Sequence, residues 1–184
     1  LAFAYAQAGQ ENSFGWPAMK HGLEYQFPLF ACWREEHGLR VERLEDTGRW
    51  FRANFSQTPA TAVSALEPFG DRQAQSVWYD CKDYRVNLYR DGNGLRLRDL
   101  TLFDERCEER YMHAVCEKEY LVYENLSVMD GNRMSGRGIL AGAWATDAKG
   151  QTLPAAEISV EEGESSLTVR FGEYTFEIGG EGIA

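Results

Sequence analysis

The sequence predicts an α+β protein: a short N-terminal helix/strand segment over residues 1–66, then an antiparallel β-sandwich-like domain over residues 76–184. Three observations carry this expectation. Apolar residues before position 66 recur first at helical and then at strand spacing. From Ser76 the pattern becomes β, with two runs flanking Asp91-Gly92-Asn93-Gly94. In the tail, Leu167, Val169 and Phe171 alternate with polar residues, and Tyr174, Phe176 and Ile178 do so after Gly172-Glu173. These six side chains are expected to face one core.

The elements follow in order. Glu11–Pro17 is turn-rich, and Pro17 suits the first position of a helix. Leu23, Phe27, Phe30 and Ala31 continue that helix, Pro28 marks a kink or a boundary between two helices, and Gly38 suits its end. Leu39–Leu44 alternates as a short strand. Asp46 or Thr47 then caps a helix with Trp50, Phe51 and Phe55 on one face, and Ala60–Leu66 reads as another strand. In the central hairpin, Asp-Gly and Asn-Gly supply positive φ angles. Leu95 and Leu97 share a face, but Leu100 and Leu102 fall on the other; this requires a β-bulge near Arg98-Asp99 or a strand buried on both faces. Asp104–Cys116 reads as a short surface helix or an irregular excursion, Tyr120–Met129 as a long strand and Asp130–Gly138 as a loop. Asp147–Gly150 joins a further hairpin, and Gly172-Glu173 fits a type II′ turn.

Composition narrows the function classes. The chain has 184 residues, 43% hydrophobic and 13% aromatic, enough for a packed core. Its net charge of −10 is uneven: residues 153–184 hold seven Glu against one Arg, and residues 104–125 hold seven acids against three bases. An acidic surface repels phosphate backbones, so nucleic acid is not an expected partner. No apolar run is long enough to span a bilayer, so no membrane partner is expected either. Cys32, Cys81, Cys107 and Cys116 form no C-x-x-C pair, and the three histidines lack ligand spacing. The expectation is reduced thiols, no metal and no cofactor, with a cytoplasmic setting favoured over a secreted one. Leu1–Ala8 reads as the tail of a signal peptide cut after Ala6-Gln7-Ala8, or as an ordinary buried segment; the missing basic stretch favours the second.

The candidate site is positional. Glu45-Asp46 lies just past the carboxyl end of the Leu39–Leu44 strand, where α/β folds gather their sites. Paired carboxylates there can work as acid and base or hold sugar hydroxyls. The same residues also suit simple helix capping. Trp16, with Glu11, Asn12 and His21 nearby, resembles a sugar-contacting set, though a Trp that anchors a loop has the same look. The expected substrate-binding residues are therefore Glu11, Trp16, Glu45 and Asp46, the expected ligand is a carbohydrate, and no residue is assigned to catalysis. The two Asp-Gly-Asn triplets lack the spacing of a calcium loop and read as turns. Arg133 and Arg137, in a glycine-rich loop of an acidic chain, either bind an anion or pair with surface glutamates, and pairing is the favoured reading.

Leu39–Leu44, Thr47-Gly-Arg-Trp-Phe-Arg52 and Thr58-Pro59 together resemble the last strand and helix of polysaccharide-deacetylase-like (β/α)-barrel enzymes. These include glycoside hydrolase families in which a β-sandwich follows the barrel. The resemblance implies the carboxyl-terminal part of a carbohydrate-active enzyme, structural or sugar-contacting and inactive by itself. It also implies association with an upstream catalytic domain that carries the metal-binding and catalytic residues. The alternative is a stand-alone β-sandwich binding or interaction module without catalytic activity.

Overall fold

The computed structural model describes Leu1 and residues 15–69, 73–108, 110–120, 126–153 and 156–184. It is an α+β protein with two units, Tyr5–Ser56 and the remainder, Leu1–Ala4 with Gln57–Ala184. The first holds two helices, α1 (Trp16–His37) and α2 (Leu44–Asn54). Pro17 occupies the first turn of α1, which runs through Pro28 without dividing. Gly38 closes it in the left-handed conformation, φ 67°, as a residue without Cβ can. Residues 38–43 are irregular, so the expected Leu39–Leu44 strand does not form. Alternation alone does not make a strand; backbone groups need a ladder partner. Here Leu39 and Val41 are exposed, and Arg43 stands at the N-cap of α2. Trp50, Phe51 and Phe55 form the expected aromatic cluster, with rings 5.2–5.5 Å apart, and the Arg40 guanidinium lies 5.2 Å from the Trp50 ring.

The second unit carries two antiparallel sheets. The larger contains β1 (Thr61–Phe69), β2 (Ala74–Asp80), β3 (Tyr84–Asp91), β4 (Gly94–Leu102) and β5 (Leu126–Asp130) in that spatial order. A short β6 (Ala143–Trp144) pairs with the first half of β4, and β5 pairs with its second half. The smaller sheet runs β10-β9-β8-β7, from Ile158–Glu162 (β7), Leu167–Phe171 (β8), Tyr174–Gly179 (β9) and Gly182–Ile183 (β10). The strand expected at Ala60–Leu66 is β1. It pairs with β2, so the division falls after Ser56 and not after Leu66. The single run expected from Ser76 to Tyr89 is itself a hairpin. Lys82 and Asp83 turn it, and the Cys81 N–H donates to the Tyr84 carbonyl at 2.9 Å. Asp104–Cys116 is irregular among its described residues, with a 3₁₀ turn at Arg110–Met112. Of the expected long strand, Tyr120 is not extended, residues 121–125 lie outside the described residues, and β5 begins at Leu126.

The two sheets share one core. Val77, Tyr79, Val86, Leu88 and Leu95 meet Leu167, Val169, Phe171 and Ile178. Two tyrosines stitch the layers: the Tyr79 hydroxyl donates to the Ser165 carbonyl at 2.7 Å, and the Tyr84 hydroxyl donates to the carbonyls of Gly179 and Gly182. Burial pushes the Tyr79 phenol up to about 12 and raises that of Tyr84 as well. The tail hairpin pairs Phe171 with Tyr174. Gly172 has φ 61° while Glu173 is not positive, which is the type II′ pattern. Phe176 packs against the core, but Tyr174 is more than one-third exposed at the hairpin end.

The bulge is real. Asn87 pairs with Asp99 and Leu88 with Leu97, leaving Arg98 as the extra residue. That insertion restores the phase, so Leu95, Leu97 and Leu100 all reach the core. At the turn, the positive φ falls on Gly94 (111°) and not on Gly92. A Cβ at Gly94 would lie 2.4 Å from the Thr152 methyl, so backbone and packing both require glycine there. Truncating Phe171 to Ala should cost about 3–5 kcal/mol, the range for a large buried side chain. Tyr174→Ala should stay within about 0.5 kcal/mol, as for surface changes. Urea unfolding followed by circular dichroism would measure both, and equal losses would contradict this placement.

Candidate functional site

The outer face of the larger sheet is built from arginines interleaved with aromatic rings. In register across β2, β3 and β4 stand Trp78, Asn87 and Asp99; one step along stand Ser76, Tyr89 and Arg96, with Trp144 beyond. The Arg98 guanidinium lies 4.0 Å from the Tyr89 ring centre and 6.0 Å from that of Trp78. Arg96 lies 5.6 Å from Tyr89 and 5.3 Å from Trp144, and Arg85 lies 5.8 Å from Trp78. Such stacking contributes about 0.5–2 kcal/mol per pair, more as the cation loses water. Arg85 also grips Asp99 with two N–H groups, at 3.0 and 3.3 Å.

At the centre, Asn87 is fully buried. Its amide donates to Ser76 Oγ and the Val77 carbonyl, and its Oδ1 accepts from Arg98 Nε at 2.8 Å. Burial lowers the Arg98 guanidinium from its usual value, but an arginine remains charged. Burial likewise raises the Asp80 carboxyl, with Arg85 opposing and Asp99 reinforcing that shift.

This face holds the loop of residues 131–142. The Gly131 N–H donates to the Arg98 carbonyl at 2.8 Å, and Arg96 Nη1 donates to the Ala141 carbonyl at 2.6 Å. A Cβ at Gly131 would lie 2.4 Å from Arg98 Cγ. Inside the loop, Ser135 Oγ donates to the Gly131 carbonyl and accepts from the Ala141 N–H, while Gly136 and Ile139 form a bridge. Asp130 starts the loop as a turn, its Oδ1 accepting the N–H groups of Asn132 and Arg133.

Between this loop and the β3–β4 turn lies a cleft of about 880 Å³. One wall is Ser135, Gly136, Gly138, Ile139 and Leu140. The other is Gly92 and Asn93 at the turn, with Arg90 and Gln73. Arg90 Nη1 donates to the Gln73 carbonyl at 3.3 Å, which holds that wall together. Asp91 faces elsewhere in the hydrogen-bond network: it is buried and its Oδ1 accepts the Asn93 N–H. No acidic residue lines the cleft among the described residues. It is open to solvent, a surface groove and not an enclosed pocket.

The residues expected to bind substrate are placed otherwise. Glu11 lies outside the described residues. Trp16 is the first residue of α1 and is exposed. Glu45 and Asp46 are in the first turn of α2, so they do not follow a strand. Arg49 pairs with both, and Arg43 pairs with Asp46 at 2.9 Å. Their observed role is therefore at a helix start, where carboxylates favour the exposed N–H groups. The expected pairing of Arg133 and Arg137 with glutamates is absent: neither forms an ion pair among the described residues. All four cysteines are free thiols, with Cys81 buried and Cys32 and Cys107 exposed. No group of three metal-ligating side chains converges among the described residues, and no described helix is long and apolar enough to cross a membrane.

The Asp130 turn makes a pH-dependent anchor. The N–H of Arg133, then that of Asn132, hold its carboxyl below the ordinary value. Its contribution is complete above the unfolded value of about 3.9 and is lost as pH falls through the lower folded one. NMR titration should show the Asn132 and Arg133 amides moving with a midpoint below that of a free Asp; a midpoint at or above about 3.9 would refute the anchor.

Comparison with family models, with curated proteins and with solved structures finds no match to this chain.

Proposed function

We propose that this chain is a β-sandwich binding module whose ligand, a saccharide, occupies the cleft between the Ser135–Leu140 wall and the β3–β4 turn. The carrying observation is that cleft: three separate segments converge on it, and Arg96 and Arg98 fix the loop that forms one of its walls. Its groups suit a hydroxylated ligand. Asn93 and the Ser135–Leu140 backbone offer donors and acceptors, and Ile139 and Leu140 offer an apolar wall. Binding loops carried on a rigid sheet are the usual way such sites are built. The competing reading, a fragment of a carbohydrate-active enzyme with its contacts at Trp16, Glu45 and Asp46, rested on a strand at Leu39–Leu44. With that strand not formed, its positional argument lapses.

The test is a titration of the ¹⁵N-labelled chain with mono- and oligosaccharides, neutral and acidic. Shifts should cluster at residues 90–94 and 135–140. Asn93→Ala should weaken binding several-fold without changing the melting temperature, because the Asp91–Asn93 contact uses the backbone N–H. Shifts confined to Trp16 and α2 would reject the cleft and restore the enzyme-fragment reading.

A further inference from the structure

We infer that the group recognised in this cleft is an anion, so that the saccharide it takes is an acidic one, bearing a carboxylate or a sulfate. This rests on the reading of the cleft as a saccharide site. The only charged residue lining the cleft, among the described residues, is Arg90. It makes no ion pair among them, and its Nη1 donates to the Gln73 carbonyl at 3.3 Å, which holds the side chain at the cleft wall. An arginine that lines a cleft without a carboxylate partner suits an anionic ligand.

The charge setting leaves Arg90 in command of the cleft. The chain is −10 overall, and its acids concentrate in residues 104–125 and 153–184. At physiological salt, exposed charges are screened beyond about 8 Å. An anion in the cleft therefore responds to Arg90 more than to the acids of those two stretches, and the acid it has to outweigh is Asp91, buried next to Arg90 in sequence. A guanidinium suits this role because its fork of N–H groups matches the oxygens of carboxylate and sulfate.

The experiment compares glucuronate and a sulfated monosaccharide with glucose, and adds acetate and inorganic sulfate alone, all followed by amide shifts of the full chain. The expected result is binding of the acidic sugars at residues 90–94 and 135–140 at least tenfold tighter than glucose, weakening as salt rises. Arg90→Gln should weaken the acidic sugars by tenfold or more, with the melting temperature recorded alongside, and Arg90→Lys should restore part of the loss. Equal binding of acidic and neutral sugars in the cleft would overturn the anion inference and leave the saccharide reading standing. Acetate or sulfate binding as tightly as the acidic sugars would keep the anion and remove the saccharide. No shift at the cleft with any of them would overturn both.

Discussion

The structure turns on one residue inserted in one strand. Arg98 is the extra position of β4, and three interactions meet on it: its Nε donates to the buried Asn87 amide, its ring-stacked guanidinium covers Tyr89, and its carbonyl receives the Gly131 N–H. The first is the most constraining. Asn87 has no access to water, so its oxygen has to be satisfied from within. A buried amide acceptor left alone costs about 1–3 kcal/mol. The guanidinium that satisfies it loses water in turn and recovers part of that loss by stacking on an aromatic face.

The bulge also decides where the sheet changes partner. Before Arg98, β4 pairs with β6; after it, β4 pairs with β5. Two segments thus share one edge of one strand, and the chain between them has to leave the sheet and return. That excursion is the 131–142 loop, and it forms one wall of the cleft. Glycine at 131 and 142 follows from the same crowding, since a Cβ would meet Arg98 at the first and Arg96 at the second. The site is therefore a consequence of how the sheet solves its own pairing, with the loop held at both ends by arginines of β4.

Legibility in the sequence followed the range of the interactions. The β8–β9 hairpin, the Asp91–Gly94 turn and the bulge were all readable, because alternation and turn chemistry involve residues a few positions apart. Leu39–Leu44 alternates equally well and makes no strand, because pairing depends on a partner that local pattern does not reveal. A helical signal was present at the same place: Glu45 and Arg49 stand four apart, the spacing of a helix-surface ion pair. The Lys82-Asp83 turn carried neither Gly nor Pro to mark it. The cleft was the least legible feature. Its walls come from residues 73, 90–93 and 135–140, which only the β3–β4 register brings together. The one local sign was the glycine-rich run Asp130–Gly138, which supplies part of one wall.

The two units differ in what holds them. Neither α1 nor α2 contains a buried residue. Their order rests on local terms: the Gly38 cap, carboxylate–arginine pairs in the first turn of α2, and the cluster of Trp50, Phe51 and Phe55. Each such term contributes a fraction of a kcal/mol to about 1 kcal/mol, and Pro28 removes one helix hydrogen bond from α1. The β unit instead buries a shared core whose members come from both sheets. Binding a ligand fixes side chains and loops, and that ordering is least costly where the scaffold is already rigid. The proposed cleft, walled by a strand end, a tight turn and a loop tied to Arg96 and Arg98, belongs to that unit. Trp16, exposed at the start of a helix without buried residues, has no comparable support.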